Sequence, residues 1–235
     1  MKQKSGKYTR GIETYNKIIT SAKILFYNQG YQNTTFRQLS AETGIHLGQF
    51  TYYFKSKDNL AGRIYSEVRS KTYDIFKDKY GEYLDPQKCI VLNLTLDILL
   101  LTANKKYGAF FYEFSKGNTY KEYQSNLVED SIRFYPAPDK SLYEEPKHRL
   151  HLNMLAIPAT KPYLVQETLT GKYKIPNIDI ARYYVYLFLD LFGEEKNNID
   201  SLFKFAYNEY LQLNLKIGKS FKLTYNKDYA KRYKE

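Results

Sequence analysis

The amino-acid sequence predicts an all-α chain, with short helices gathered at a basic N-terminal end and a larger helical body behind them. Three observations carry that reading. Apolar residues recur at the i, i+3, i+4 and i+7 spacing of amphipathic helices, with Gly, Ser, Thr and Asp at the breaks where helices start and stop. The net charge of +11 is unevenly placed: residues 1–79 hold 14 basic and 6 acidic residues (+8), residues 80–215 hold 15 and 17 (−2), and residues 216–235 hold 7 and 2 (+5). Finally, 235 residues that are 43% hydrophobic and 26% charged can bury a sizeable core, and fit neither a disordered chain nor a membrane bundle.

The first helix runs from Ile12 to Gly30, with Ile12, Tyr15, Ile18, Ile19, Ala22, Leu25 and Phe26 as its apolar stripe and Gly30 as its stop. Thr35 three residues before Gln38 reads as a capping box. It opens a short second helix that buries Phe36, Leu39 and Ala41 and ends at Gly44. A third short helix follows from His46 to Phe54. Ser56 and Asp58 then open a long fourth helix carrying Leu60, Ile64, Val68 and Ile75.

Beyond Asp85-Pro86 the pattern predicts helices over 86–103, 105–117 and 120–134. Six of the seven prolines lie between residues 136 and 176, which predicts loops and a helix near 146–169 bent around Pro158 and Pro162. In the next helix Ile178, Ala181, Val185, Phe188 and Phe192 form one seam, and Ile180, Tyr184, Leu187 and Leu191 a second. A helix apolar on two faces needs two partners. The last long helix, with Ile199, Leu202, Phe203, Ala206, Tyr210, Leu213 and Ile217, supplies one, and a second copy of the chain could supply the other. In the tail, Phe221, Tyr225, Tyr229 and Tyr233 repeat every four residues among seven basic ones, the spacing of one helical stripe.

A pI near 9.3 calls for an anionic partner, nucleic acid or an acidic membrane face. The start, Met1 to Glu13, has no apolar core of a secretory signal. The most apolar run, Cys89 to Ala103, is interrupted by Asn93, Thr95 and Asp97 and reads as a buried helix rather than a spanning one. A lone cysteine forms no intramolecular disulfide, in keeping with a cytoplasmic setting. His148 and His151 lie i, i+3 without a convincing third ligand, so neither a metal nor another cofactor is expected. No phosphate loop, nucleophile elbow or zinc-protease helix points to an enzyme.

Two short helices joined by a Gly-containing turn, inside the +8 segment, form a helix-turn-helix pattern. In that motif the second helix enters the major groove of duplex DNA while the first crosses the backbone. The candidate contacts are Thr35 and Arg37 at the start of the first, Leu47, Gln49, Tyr52 and Tyr53 on the second, and Lys55 and Lys57 beyond it as phosphate partners.

The run Thr34-Thr35-Phe36-Arg37-Gln38-Leu39, continued by Gly44-Ile45-His46-Leu47-Gly48-Gln49-Phe50-Thr51-Tyr52-Tyr53-Phe54-Lys55-Ser56-Lys57-Asp58-Asn59-Leu60, resembles the DNA-binding domain of TetR-type bacterial regulators. Ala22-Lys23-Ile24-Leu25-Phe26 and Gly30-Tyr31 resemble that family's first helix and turn, so the resemblance covers residues 12–60. It departs at His46, where the family usually has Ser or Thr, at Leu47, where a polar or basic residue is common, and at Thr51, where Tyr usually reaches a phosphate. It implies a helix-turn-helix domain over residues 1–56, a ligand-binding and dimerisation domain over 57–217 and a basic tail over 218–235. It also implies a homodimer through the last two long helices, a double-stranded DNA operator, and an unknown small-molecule inducer that relieves repression. The residues assigned on this basis are Phe111, Phe114, Met154 and Tyr163 for the inducer pocket, and Val185, Phe188, Phe192, Phe203 and Tyr210 for the dimer interface. The alternative is a basic helical module that holds single-stranded nucleic acid or anionic lipid without a specific operator.

Overall fold

Ten helices, a further helical stretch at residues 118–122 and one minimal hairpin with a short turn between its strands lie among the described residues. The computed structural model describes residues 3–81, 84–122 and 147–231, and the side chains within them other than 3–8, 147–151 and 154. Helices α1 (Gln3–Gln29), α2 (Phe36–Thr43) and α3 (Leu47–Phe54) form the N-terminal unit, and α4 (Lys57–Tyr80) leads into the body. The body comprises α5 (Pro86–Ala103), α6 (Lys105–Phe114), α7 (Lys147–Thr170), α8 (Asn177–Leu191) and α9 (Lys196–Leu213). A two-stranded antiparallel pair, β1 (Lys216–Ile217) and β2 (Leu223–Thr224), precedes the single-turn α10 (Lys227–Lys231). The all-α expectation holds, with this short hairpin as the exception.

The helix starts and stops use the residues that the sequence marks. Thr35 Oγ1 accepts from the Gln38 amide at 3.2 Å while Gln38 Oε1 accepts from the Thr35 amide at 2.8 Å, a complete capping box. Gly44 closes α2 at φ 68°, a left-handed conformation that costs glycine least. Ser56 caps α4 through the Asn59 amide at 3.1 Å, and Asp85 caps α5 through the Lys88 amide, with Pro86 at the first helical position. Helix α1 begins nine residues before the expected Ile12, and Ile12 is itself exposed. Helix α6 stops at Phe114, three residues short of the expected end. Residues 118–122 are helical, and the rest of the helix expected over 120–134 lies outside the described residues.

Helix α7 runs through both Pro158 and Pro162. Each proline removes one backbone donor, and the Thr160 hydroxyl donates to the Ile157 carbonyl at 2.7 Å. The position of α7 is fixed by packing on α5, α6 and α8.

Helix α5 is the axis of the body. Its residues 95–102 are buried without a break because α8 and α9 cover one side and α6 and α7 the other. By mean hydropathy (1.3 over 18 residues) this helix is apolar enough to span a bilayer, but the fold uses it as its core. Its one acidic residue, Asp97, is buried and answered. Lys161 Nζ on α7 lies 2.6 Å from Asp97 Oδ2, and the Tyr65 hydroxyl on α4 donates to the same carboxylate at 2.9 Å. Burial pushes the Asp97 carboxyl up, but the Lys161 ammonium and Arg69 override it and hold it below the usual carboxylate range. Three helices are thereby tied at one buried point, and α4 is one of them.

Candidate nucleic-acid interface

Helix α3 presents two chemically different sides. Phe50 and Phe54 are buried, Phe50 against Phe36 of α2 (ring centroids 5.4 Å apart) and Phe54 stacked on Tyr15 of α1 (5.0 Å). Leu47, Gly48, Gln49, Thr51 and Tyr52 are exposed, Tyr52 at 80%. The period of α3 therefore anchors the helix by its aromatic face and leaves an uncharged polar and apolar face outward. Gln49 makes no side-chain hydrogen bond among the described residues, and Thr35 and Arg37 at the start of α2 are exposed beside it in sequence order.

Two of the expected contacts also have partners within the subunit. The Tyr53 hydroxyl donates to the Gly11 carbonyl at 3.2 Å and its ring packs edge-on to Tyr15, so Tyr53 fastens α3 to α1. Lys57 is likewise engaged: its ammonium donates to the Tyr31 carbonyl at 2.9 Å and sits 4.1 Å above the Tyr31 ring. Burial pulls the Lys57 ammonium below the usual lysine value, partly offset by Asp58 and Glu113. Both side chains were expected to contact DNA, and in the free chain both also hold the motif together. Lys55 remains exposed at the turn out of α3, in a left-handed conformation (φ 56°).

His46, which stands where the resembled family usually has Ser or Thr, caps α3: the ring Nδ1 accepts from the Gly48 amide at 3.2 Å. A neutral imidazole with its other nitrogen protonated supplies the acceptor that a Ser or Thr hydroxyl would.

The motif is joined to the body through the start of α4. The Tyr31 hydroxyl donates to Asp58, the Gln32 amide donates to Glu113 on α6 at 2.9 Å, and Asn59 Nδ2 donates to Thr119 at 3.4 Å. Lys23 of α1 pairs with Glu67 of α4 at 2.6 Å. The tail supplies a second joint. Phe221 packs on Tyr27 of α1 (5.6 Å) and on Tyr107 and Phe110 of α6 (5.6 and 4.7 Å), while Asn104 Nδ2 donates to the Ile217 carbonyl at 2.7 Å. Further along, buried Lys79 of α4 meets Glu209 of α9 at 2.5 Å, Tyr229 closes over the ammonium at 3.7 Å, and the Tyr229 hydroxyl donates to Glu209. The tail is a hairpin and one turn rather than a continuous four-spaced helical stripe, and Tyr233 lies outside the described residues.

The residues assigned to an inducer pocket differ in burial where their side chains are described. Phe111 and Phe114 are fully buried and packed on Tyr65 and Tyr120, whereas Tyr163 is 72% exposed. They are separated by burial: two are core and one is surface. The Met154, His148 and His151 side chains lie outside the described ones. Beside the Asp97 cluster lies a small cleft of about 10 Å³, room for about one water, lined by Val68, Arg69, Thr72, Asn93, Asp97, Leu100 and Tyr107. The dimer-interface assignment needs a similar correction. Val185, Phe188, Phe192 and Phe203 are buried within the subunit because α5 already fills the groove they form with α9, and Tyr210 is half-buried. The outward residues of these helices include Tyr183 (58% exposed) on α8 and Leu211 (52%) on α9.

Residues 18–64 match the family model of bacterial regulatory proteins of the tetR family. The chain is 25% identical over 138 residues to the probable HTH-type transcriptional regulator YttP of Bacillus subtilis (strain 168), a match that covers 57% of this chain and 62% of YttP. It is 30% identical over 67 residues to the transposon Tn10 TetC protein of Escherichia coli, covering 28% of this chain and 34% of TetC. The matched regions thus span less than two thirds of either relative. Among solved structures, RolR without ligand aligns with a TM-score of 0.50 at 14% identity, over 80% of this chain and 96% of RolR, a likeness of fold. Together with the helix-turn-helix geometry of α2 and α3, these likenesses show that residues 18–64 form a DNA-binding domain of the kind found in bacterial regulatory proteins of the tetR family.

Proposed function

We propose that the chain is a cytoplasmic transcriptional repressor that binds a double-stranded DNA operator as a homodimer and is released by a small molecule. The observation that carries the reading is the outward face of α3: an anchored helix with Gln49, Leu47 and Tyr52 exposed, inside the +8 segment of the chain. A major groove about 12 Å wide admits such a helix, and its bases are read by side chains of this kind. The dimer is assigned to the outward faces of α8 and α9, replacing the buried seam. Regulation follows from α4, which starts at the DNA-facing motif and passes the Tyr65, Asp97 and Lys161 cluster. A molecule bound in the body shifts operator affinity by the ratio of its affinities for the two arrangements of α4.

The alternative, a basic helical module that holds polyanions without a specific operator, needs the chain's tyrosines and lysines free to meet them. Phe221, Tyr229 and Lys79 are used in internal packing, which favours the operator reading. Competition binding tests it: a duplex enriched from a random pool should resist displacement by random duplex, single strands and anionic vesicles. Equal displacement by any of these would refute it.

A further inference from the structure

We infer that the operator half-site is built from A·T pairs where α3 meets the bases; this rests on the proposal that α3 is the reading helix. The exposed face of α3 holds Leu47, Gly48, Gln49, Thr51 and Tyr52, and no residue from Leu47 to Phe54 is charged. Guanine is most often read by the paired donors of Arg or Lys on its O6 and N7, and cytosine by a carboxylate on its N4. Helix α3 carries neither chemistry.

What it does carry matches adenine and thymine. The Gln49 side chain offers one donor and one acceptor, the pair that adenine N7 and N6 require. Leu47, 37% exposed in the first turn, is suited to the thymine 5-methyl group, which would also take its apolar surface out of water. The Thr51 hydroxyl spends its donor on the Gly48 carbonyl at 3.0 Å, which leaves a methyl and an acceptor oxygen, and no donor for guanine O6 or N7. Gly48 has no side chain to hold the helix off the groove floor.

The neighbouring polar groups do not restore guanine readout. The His46 Nδ1 is occupied by the Gly48 amide, which leaves Nε2–H as its donor. One donor meets N7 of either purine and does not discriminate between them. The Lys57 ammonium is held on Tyr31. Arg37 lies on α2 and Lys55 beyond the last turn of α3, the places from which phosphates are contacted.

The test is selection from a randomised duplex pool with the full chain, followed by affinity measurements on the winner. The half-sites should converge on A·T pairs at the core positions, and exchanging one for G·C should weaken binding about 5- to 150-fold. Replacing the core thymines by uracil, which removes only the methyl groups, should also weaken binding. Gln49→Arg should exchange adenine for guanine at one position and leave the flanks unchanged. Convergence on G·C pairs, or an unchanged preference in Gln49→Arg, would overturn the inference while leaving DNA binding intact. A pool that enriches no duplex would overturn both.

Discussion

Phe221→Ala is the perturbation that most directly probes how the DNA-facing motif is held against the body. Phe221 is 3% exposed and touches α1 through Tyr27 and α6 through Tyr107 and Phe110. Truncating a buried Phe to Ala costs about 3–5 kcal/mol. Its backbone sits at φ 57°, and that strain remains in the Ala variant, so no compensation is expected from it. For a chain of this size each kcal/mol shifts the melting temperature by about 2–4 °C, which gives a fall of roughly 6–20 °C. Urea denaturation supplies the free energy and amide hydrogen exchange the location, with protection lost first in α1 and α6. A loss below about 1 kcal/mol, or exchange that rises uniformly across the body, would refute the idea that the hairpin is wedged between the two.

Three further outcomes follow from buried contacts. Lys161→Met strands the Asp97 carboxylate and should cost about 3–5 kcal/mol in denaturation; adding Asp97→Leu and Tyr65→Phe should recover most of it, because the remaining polar groups leave together. Because Asp97 ionises below its unfolded value, its contribution is present above about pH 4 and is lost as pH falls through the depressed value; the acid limb of stability against pH should therefore flatten in Asp97→Asn. Gly108→Ala should destabilise by more than about 1 kcal/mol, since a Cβ there would lie 2.6 Å from the Leu101 carbonyl, a backbone atom that cannot swing aside.

The local signals in the sequence were legible because they act over a few residues. Thr35 with Gln38, Ser56, Asp85-Pro86 and Gly44 mark their helix ends by chemistry that needs no tertiary partner. The exposed half of α3 was legible too, since Phe50 and Phe54 fall on one helical face and Gln49 and Tyr52 on the other. What periodicity does not show is which of two partners an apolar seam will meet. Val185 and Phe188 read equally as dimer or core, and α5 takes them first. Tyr53 and Lys57 illustrate the same limit for polar groups, because their partners, Gly11 and Tyr31, are 42 and 26 residues away in sequence. The Asp97 cluster had one legible sign, a carboxylate inside an apolar run, which implies a buried cation. Neither Lys161, 64 residues on, nor the placing of Tyr229 over Lys79 could be read from spacing alone.

A crystal structure of the full chain with its selected duplex would decide whether α3 reads DNA by inserting its outward face. In that complex α3 should lie in the major groove, with the Gln49 amide on an adenine edge, Leu47 against a thymine methyl, and Tyr53 and Lys57 still on Gly11 and Tyr31. A complex in which α3 faces solvent, or in which the duplex lies along the tail or the α8 and α9 surface, would contradict it.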